Sequence, residues 1–237
     1  MTDSSVAALR AASGPVAPTR VWDLPTRLFH WALAAAVIGM IGTGLNGAME
    51  WHFRIGYSVM ALLLFRLLWG FVGGRWSRFG AFVYGPGSLA AYLRGRAHPD
   101  HLVGHTPLGS LSVFAVLIIL VLQVATGLMA DDEISASGPL TRFVSGDIVS
   151  MATGWHKAQG KWIVIALASL HVLAVLFYVL VKRHRLVRPM VTGDKLVAPA
   201  ANGQMAPSRD DAASRWLALV LFGLCAGVAW WVSSLRV

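Results

Sequence analysis

Charge is scarce in this chain. Asp, Glu, Lys and Arg make up 13% of 237 residues while 56% are hydrophobic, and the mean hydropathy is +0.62. That balance excludes an ordinary soluble globule and implies an integral membrane protein. Acids are scarcer still, 11 against 20 Lys and Arg. No basic run is interleaved with aromatics as on a nucleic-acid surface, so the excess positive charge is read as a topological signal. Cysteine is nearly absent: Cys225 alone, in an apolar stretch, excludes a disulfide framework and a paired redox thiol, and is expected to be a small core residue. There is no Cys-x-x-Cys-His for covalent haem attachment and no internal repeat. The first residues lack the apolar core of a signal peptide.

What is present is a series of long apolar runs. Residues 1–20, small, polar and proline-containing, read as a disordered tail. Asp23 can cap a helix that Pro25 enters in its first turn, leading into an apolar span over 28–48. Further spans follow at 51–72, 107–129, 154–181 and 216–232, separated by long loops at 73–106 and 131–153. A short interfacial helix is allowed for in the second loop. The expected fold is all-α, an integral membrane helical bundle: a four-helix core over 21–190, a Pro/Gly-rich linker over 191–213, and an appended fifth transmembrane helix over 214–237. Arginines crowd the tail, the 73–106 loop and the stretch after 181. Such segments stay in the cytoplasm, which places the N-terminus there and the C-terminus outside.

Four histidines then acquire depths. His30 and His171 lie toward the cytoplasmic ends of the first and fourth spans, and His52 and His156 at the outer ends of the second and fourth. On an α-helix the fifteen residues from His156 to His171 rise roughly 22 Å and bring the two side chains within about 60° of one direction. The topology thus yields two pairs, His30 with His171 and His52 with His156. Imidazole in hydrocarbon is expected to face the bundle interior with a partner, and facing imidazoles can hold haem iron axially. Zinc fits less well, because two imidazoles leave its tetrahedral shell short. Glycines 39, 42, 44, 47 and 56 suit either a macrocycle against the backbone or close helix packing. Arg66, at the depth of His30 and His171, is placed to meet a haem propionate, with snorkelling to the surface as the alternative. His98, His101 and His105 on the cytoplasmic loop are alternative ligands that would be harder to hold in place, and His184 is expected to be solvated.

These residues resemble a known family. Arg27-Leu28-Phe29-His30-Trp31, His52-Phe53-Arg54-Ile55-Gly56-Tyr57, Gly104-His105-Thr106-Pro107-Leu108-Gly109 running on to Gln123-Val124-Ala125-Thr126-Gly127-Leu128, His156, and Leu170-His171-Val172 are similar to the bacterial cytochrome b561 and nickel-iron hydrogenase b-type cytochrome family, over about residues 20–190. The resemblance implies a four-helix di-haem core with two non-covalent haem b groups, held by the same two histidine pairs. It also implies residence in a bacterial inner membrane and electron transfer in a respiratory chain between the quinone pool and a partner, either a hydrogenase-like enzyme or a periplasmic c-type cytochrome. The chain departs from the pattern in its fifth span and in the spacing of fifteen between His156 and His171, where some members use fourteen; a bulge or rotation is expected there.

No residue is assigned a catalytic role, since no substrate pocket is legible and the chemistry is expected on the quinone or in the partner. Two alternatives stand beside the relay. One is a self-sufficient superoxide:quinone oxidoreductase, disfavoured because Asp131, Asp132, Glu133 and Asp147 on the outer side, against few bases, would repel anions and suit a basic cytochrome instead. The other is a non-redox membrane anchor or transporter with a histidine proton path, for which the spans carry too few carboxylates.

Overall fold

The computed structural model describes residues 17–96, 103–134, 136–197 and 206–236. The order of elements is β1 (Ala17–Arg20), α1 (Leu24–Leu45), α2 (Met49–Val72), α3 (Pro86–Leu93), α4 (Pro107–Met129), α5 (Gly146–Val181), α6 (Val187–Thr192), β2 (Asp194–Val197) and α7 (Ala212–Ser234). Of these, α1, α2, α4, α5 and α7 are long and apolar enough to cross a membrane. The chain is an all-α membrane bundle, with Ile38, Phe71, Leu180, Trp216 and Trp230 among the large apolar side chains turned outward.

Helix ends follow local chemistry. Asp23 caps α1, accepting from the Thr26 N–H at 2.8 Å, and Pro25 occupies the first turn where no intrahelical N–H is needed. Gly47, at φ +69°, permits the tight reversal from α1 into α2. Thr106 caps α4 through its hydroxyl and Asp211 caps α7 through its carboxylate. The 36 residues of α5 would rise roughly 50 Å, longer than a hydrocarbon core of about 30 Å requires. The loop expected over 131–153 thus ends as part of this helix. Two π-helical segments interrupt α5, at Trp155–Gly160 and Phe177–Val181.

In the bundle α1 packs on α2, α2 on α4 and α7, and α5 along α4; α5 has no comparable packing on α1 or α2. The fifth helix buries Ser214, Ala218, Cys225, Ala229 and Val232, a stripe at helical spacing whose mostly small residues let it lie close to α2. Cys225 is a core residue, as expected. Phe222 meets Phe65 edge-on, and Arg236 stacks over Phe53 at 3.9 Å.

Three segments read as irregular are ordered. Residues 17–20, expected within a disordered tail, form β1 and pair antiparallel with β2, which lies in the expected linker; residues 1–16 are outside the described ones. The 73–106 loop holds two 3₁₀ turns, Arg75–Ser77 and Phe79–Ala81, and the short helix α3. The floor at the N-terminal end of α1 is stitched by Asp23, which also accepts from Trp69 Nε1, the Gly74 N–H and the Ser77 hydroxyl at 3.2, 3.1 and 2.7 Å.

A candidate haem site at two depths

The bundle brings each expected pair of histidines together. His30, in the second turn of α1, faces His171 of α5 with ring centroids 6.3 Å apart. His52, in the first turn of α2, faces His156 of α5 at 6.1 Å. One metal atom bonded to a nitrogen of each ring at about 2 Å sets the ring centres roughly 6 Å apart, so both separations fit a bis-imidazole iron. Among the described residues no group of three or more His, Cys, Asp or Glu gathers as a metal site. Two imidazoles per level suit a metal whose other positions are filled by a porphyrin. α5 approaches α1 and α2 only loosely, and the histidine pairs bridge them at the two levels.

Which ring nitrogen is free is decided by the other one. His156 Nδ1 lies 2.9 Å from the main-chain carbonyl of Gln123, which can only accept, so Nδ1 carries the proton and Nε2 keeps its lone pair. The Thr43 hydroxyl donates its one hydrogen to the Gly39 carbonyl at 2.7 Å and so accepts from His52 Nδ1 at 3.2 Å. His30 Nδ1, by contrast, is buried without a hydrogen-bond partner.

The π-helical segment at Trp155–Gly160 explains the spacing of fifteen. A π turn absorbs one extra residue, so fifteen residues turn the helix as fourteen regular ones would, and His156 and His171 stay on one side of α5.

Arg66 is 3% exposed and does not snorkel. Its guanidinium lies over the Phe79 ring at 4.7 Å, and its Nη1 is buried without a hydrogen-bond partner. A buried N–H of a charged group in that condition is costly and fits an anionic acceptor such as a propionate. The glycines differ in their surroundings: a Cβ at Gly39 would press on Ile55 at 3.1 Å, one at Gly56 would only touch Met40, one at Gly44 would lie 3.1 Å from His52, and at Gly42 and Gly47 it would meet open space. Gly127, whose part the sequence left unassigned, leaves room for the ring that faces His52, since a Cβ there would lie 2.7 Å from His156. Its sequence signal is its place one turn after Gln123, in the stretch that carries the family resemblance.

The loop histidines stand apart from these pairs. His98 and His101 lie outside the described residues. His105 is enclosed between Trp22 and Phe82, at 4.7 and 4.4 Å between ring centroids, and its Nδ1 is shut off from solvent without a hydrogen-bond partner. Burial, reinforced by Arg66, His30 and Lys195, pushes this imidazole well below its ordinary range. Lys195 is pushed down by burial too and donates to the Val103 carbonyl at 3.1 Å. His184 is exposed and packs on Tyr178. The end of the bundle that holds His52 and His156 is not short of bases, contrary to expectation: Arg54, Arg142, Lys157, Lys161 and Arg236 share it with Glu50, Asp131, Asp132, Glu133 and Asp147. Asp131 and Asp132 also accept N–H groups of their own loop, so the argument from repulsion of anions does not hold.

Residues 21–193 match the family model for prokaryotic cytochrome b561. Among curated proteins, a probable Ni/Fe-hydrogenase B-type cytochrome subunit of Azotobacter chroococcum is 25% identical over 73% of this chain and 86% of its own length. One from Cupriavidus necator is 24% identical over 77% and 89%. The probable Ni/Fe-hydrogenase 1 B-type cytochrome subunit of Escherichia coli K12 is 23% identical over 73% and 88%. No solved structure matches the chain significantly.

Proposed function

The chain belongs to the prokaryotic cytochrome b561 family and is a membrane b-type cytochrome of electron transfer, and from that premise we propose that it binds two non-covalent haem b groups as a relay. His30 and His171 hold one iron on the cytoplasmic side, and His52 and His156 hold the other on the outer side. The observation that carries this reading is the pair of ring separations, 6.3 and 6.1 Å, with α5 supplying one ring to each.

When bound, haem b supplies a reversible one-electron couple. The protein's own residues bind and orient it. Each iron would be held by two imidazoles, His30 with His171 and His52 with His156, a ligand set that favours electron transfer over oxygen binding. His156 and His52 present Nε2 because Nδ1 is engaged, and the buried Arg66 Nη1 offers its N–H to a propionate of the cytoplasmic-side haem. Along α5 the two levels lie roughly 20 Å apart.

The relay runs between the quinone pool and a partner redox protein in a bacterial inner membrane, with the N-terminus cytoplasmic. Arg75, Arg78, Arg94 and Arg96, with the basic stretch from Lys182 to Arg188, support that orientation. The relatives' names favour a hydrogenase-like partner over a c-type cytochrome. The outer bases Arg142, Lys157, Lys161 and Arg236 favour a second reading, a self-sufficient superoxide:quinone oxidoreductase, which turnover of the purified protein with quinone and no partner would single out.

A dithionite-reduced minus oxidised spectrum with haem quantified per chain tests the proposal. Two low-spin b-type haems are expected, with one lost in His52→Ala; an unchanged haem content in that variant would refute the outer pair.

A further inference from the structure

Gln123 is the one strongly polar side chain within α4, and the two-haem reading gives it no task. Its surroundings do. The side-chain Nε2 donates to the main-chain carbonyl of His156 at 3.0 Å, while the His156 ring donates from Nδ1 to the main-chain carbonyl of Gln123 at 2.9 Å. Two bonds between the same two residues close a ring across α4 and α5 that holds both the backbone and the imidazole of His156. This happens inside the first of the two π-helical segments of α5, where the backbone leaves the regular α-helical hydrogen-bond ladder. Gly160 and Gly127 clear the space: a Cβ at Gly160 would collide with Gln123 Oε1 and Trp155 Nε1, and one at Gly127 would strike the His156 ring. His52 is held by Thr43, but His30 Nδ1 has no partner, so the clamp belongs to the outer level alone.

We infer that Gln123 is a positioning residue for the outer haem, pinning the π-helical segment so that His156 stays hydrogen-bonded at Nδ1 and presents Nε2 to the iron. The inference rests on the two-haem reading. A ligating histidine that donates its other N–H to a carbonyl is a more basic ligand and stabilises the oxidised metal. Loosening the clamp therefore raises the potential of the outer haem and leaves the inner one alone.

The test is Gln123→Met, which keeps the length of the side chain and removes its amide. Purified in detergent, it is compared with the wild type by haem content, optical redox titration and low-temperature EPR, with His52→Ala identifying the outer component. The expected result is two haems per chain, an outer component with a raised midpoint potential and a moved highest-g line, and an inner component superimposable on wild type. An outer component identical to wild type in both readouts would overturn the inference and leave Gln123 as helix packing. Should Gln123→Met lose the outer haem, Gln123→Asn, which keeps an amide on a shorter arm, is read in the same way: a raised outer potential supports the clamp and an unchanged one overturns it. Fewer than two haems in the wild type would refute the two-haem reading itself.

Discussion

At the scale of single residues, surroundings decide what each histidine can do. His105 sits in the Gly-His-Thr-Pro-Leu-Gly stretch that signals the family, yet it is enclosed by Trp22 and Phe82 and stands outside both ring pairs. Its folded imidazole titrates well below 6.5, the value it has when unfolded. As pH falls from 6.5 toward that depressed value, the unfolded chain binds a proton that the folded chain does not. Stability is therefore full above pH 6.5 and is lost on acidification, by at most about 1.4 kcal/mol per pH unit. Melting temperature in detergent should fall between pH 7 and pH 5, and His105→Phe should flatten that slope; an unaltered slope in the variant would assign the acid sensitivity elsewhere. Arg66 makes the same point. Its charge was legible as intramembrane, but the Phe79 and Phe82 rings that cover it come from the loop after α2.

At the scale of elements, α5 carries the organisation of the molecule, since it contributes one histidine to each level. Its length and apolar character follow from composition, whereas the π-helical segment at Trp155–Gly160 does not. A spacing of fifteen from one histidine to the other leaves the helix with one residue more than regular turns take up, and the π turn disposes of it. Deleting Ala158 should convert the segment to regular α-helix with both histidines still facing α1 and α2, so both haems should remain by difference spectrum. Inserting one alanine after Ala158 rotates the two halves by about 100° relative to each other and should cost one haem. Retention of both haems in the insertion variant would show that α5 does not set the pairing.

At the scale of the whole molecule, the floor at the N-terminal end of α1 ties together parts far apart in the chain. Asp210, just before α7, accepts from Arg20 at 2.6 Å, from the Leu24 N–H at 3.1 Å and from Arg215 at 3.0 Å. Burial alone would raise its carboxyl, but the hydrogen bonds from Arg215, Leu24 and Arg20 hold it below the ordinary range. Through it the fifth helix, the first helix and the β1–β2 ribbon share one anchor, so α7 is joined to the core by more than its packing on α2. Asp210→Ala leaves the Leu24 N–H and part of Arg20 without an acceptor and should destabilise the bundle by about 1–3 kcal/mol. A lowered melting temperature at unchanged haem content is the expected outcome; loss of haem at temperatures below the melt would instead place the floor in cofactor binding.

Sequence by itself determined the five spans, the depth of the four histidines and their division into pairs. Apolar length and positive charge are properties read along one dimension, and a membrane converts position along a span into depth. The first-helix cap by Asp23 was legible for the same reason, being a contact only three residues long. Tertiary structure alone decided the rest. The exchange between Gln123 and His156 joins residues 33 apart, and the bond from Arg20 to Asp194 joins residues 174 apart. The tautomers of His52 and His156, the covering of Arg66, the ordering of 17–20 against 194–197 and the seating of α7 all depend on which helices come to lie side by side, and local chemistry carries no signal of that.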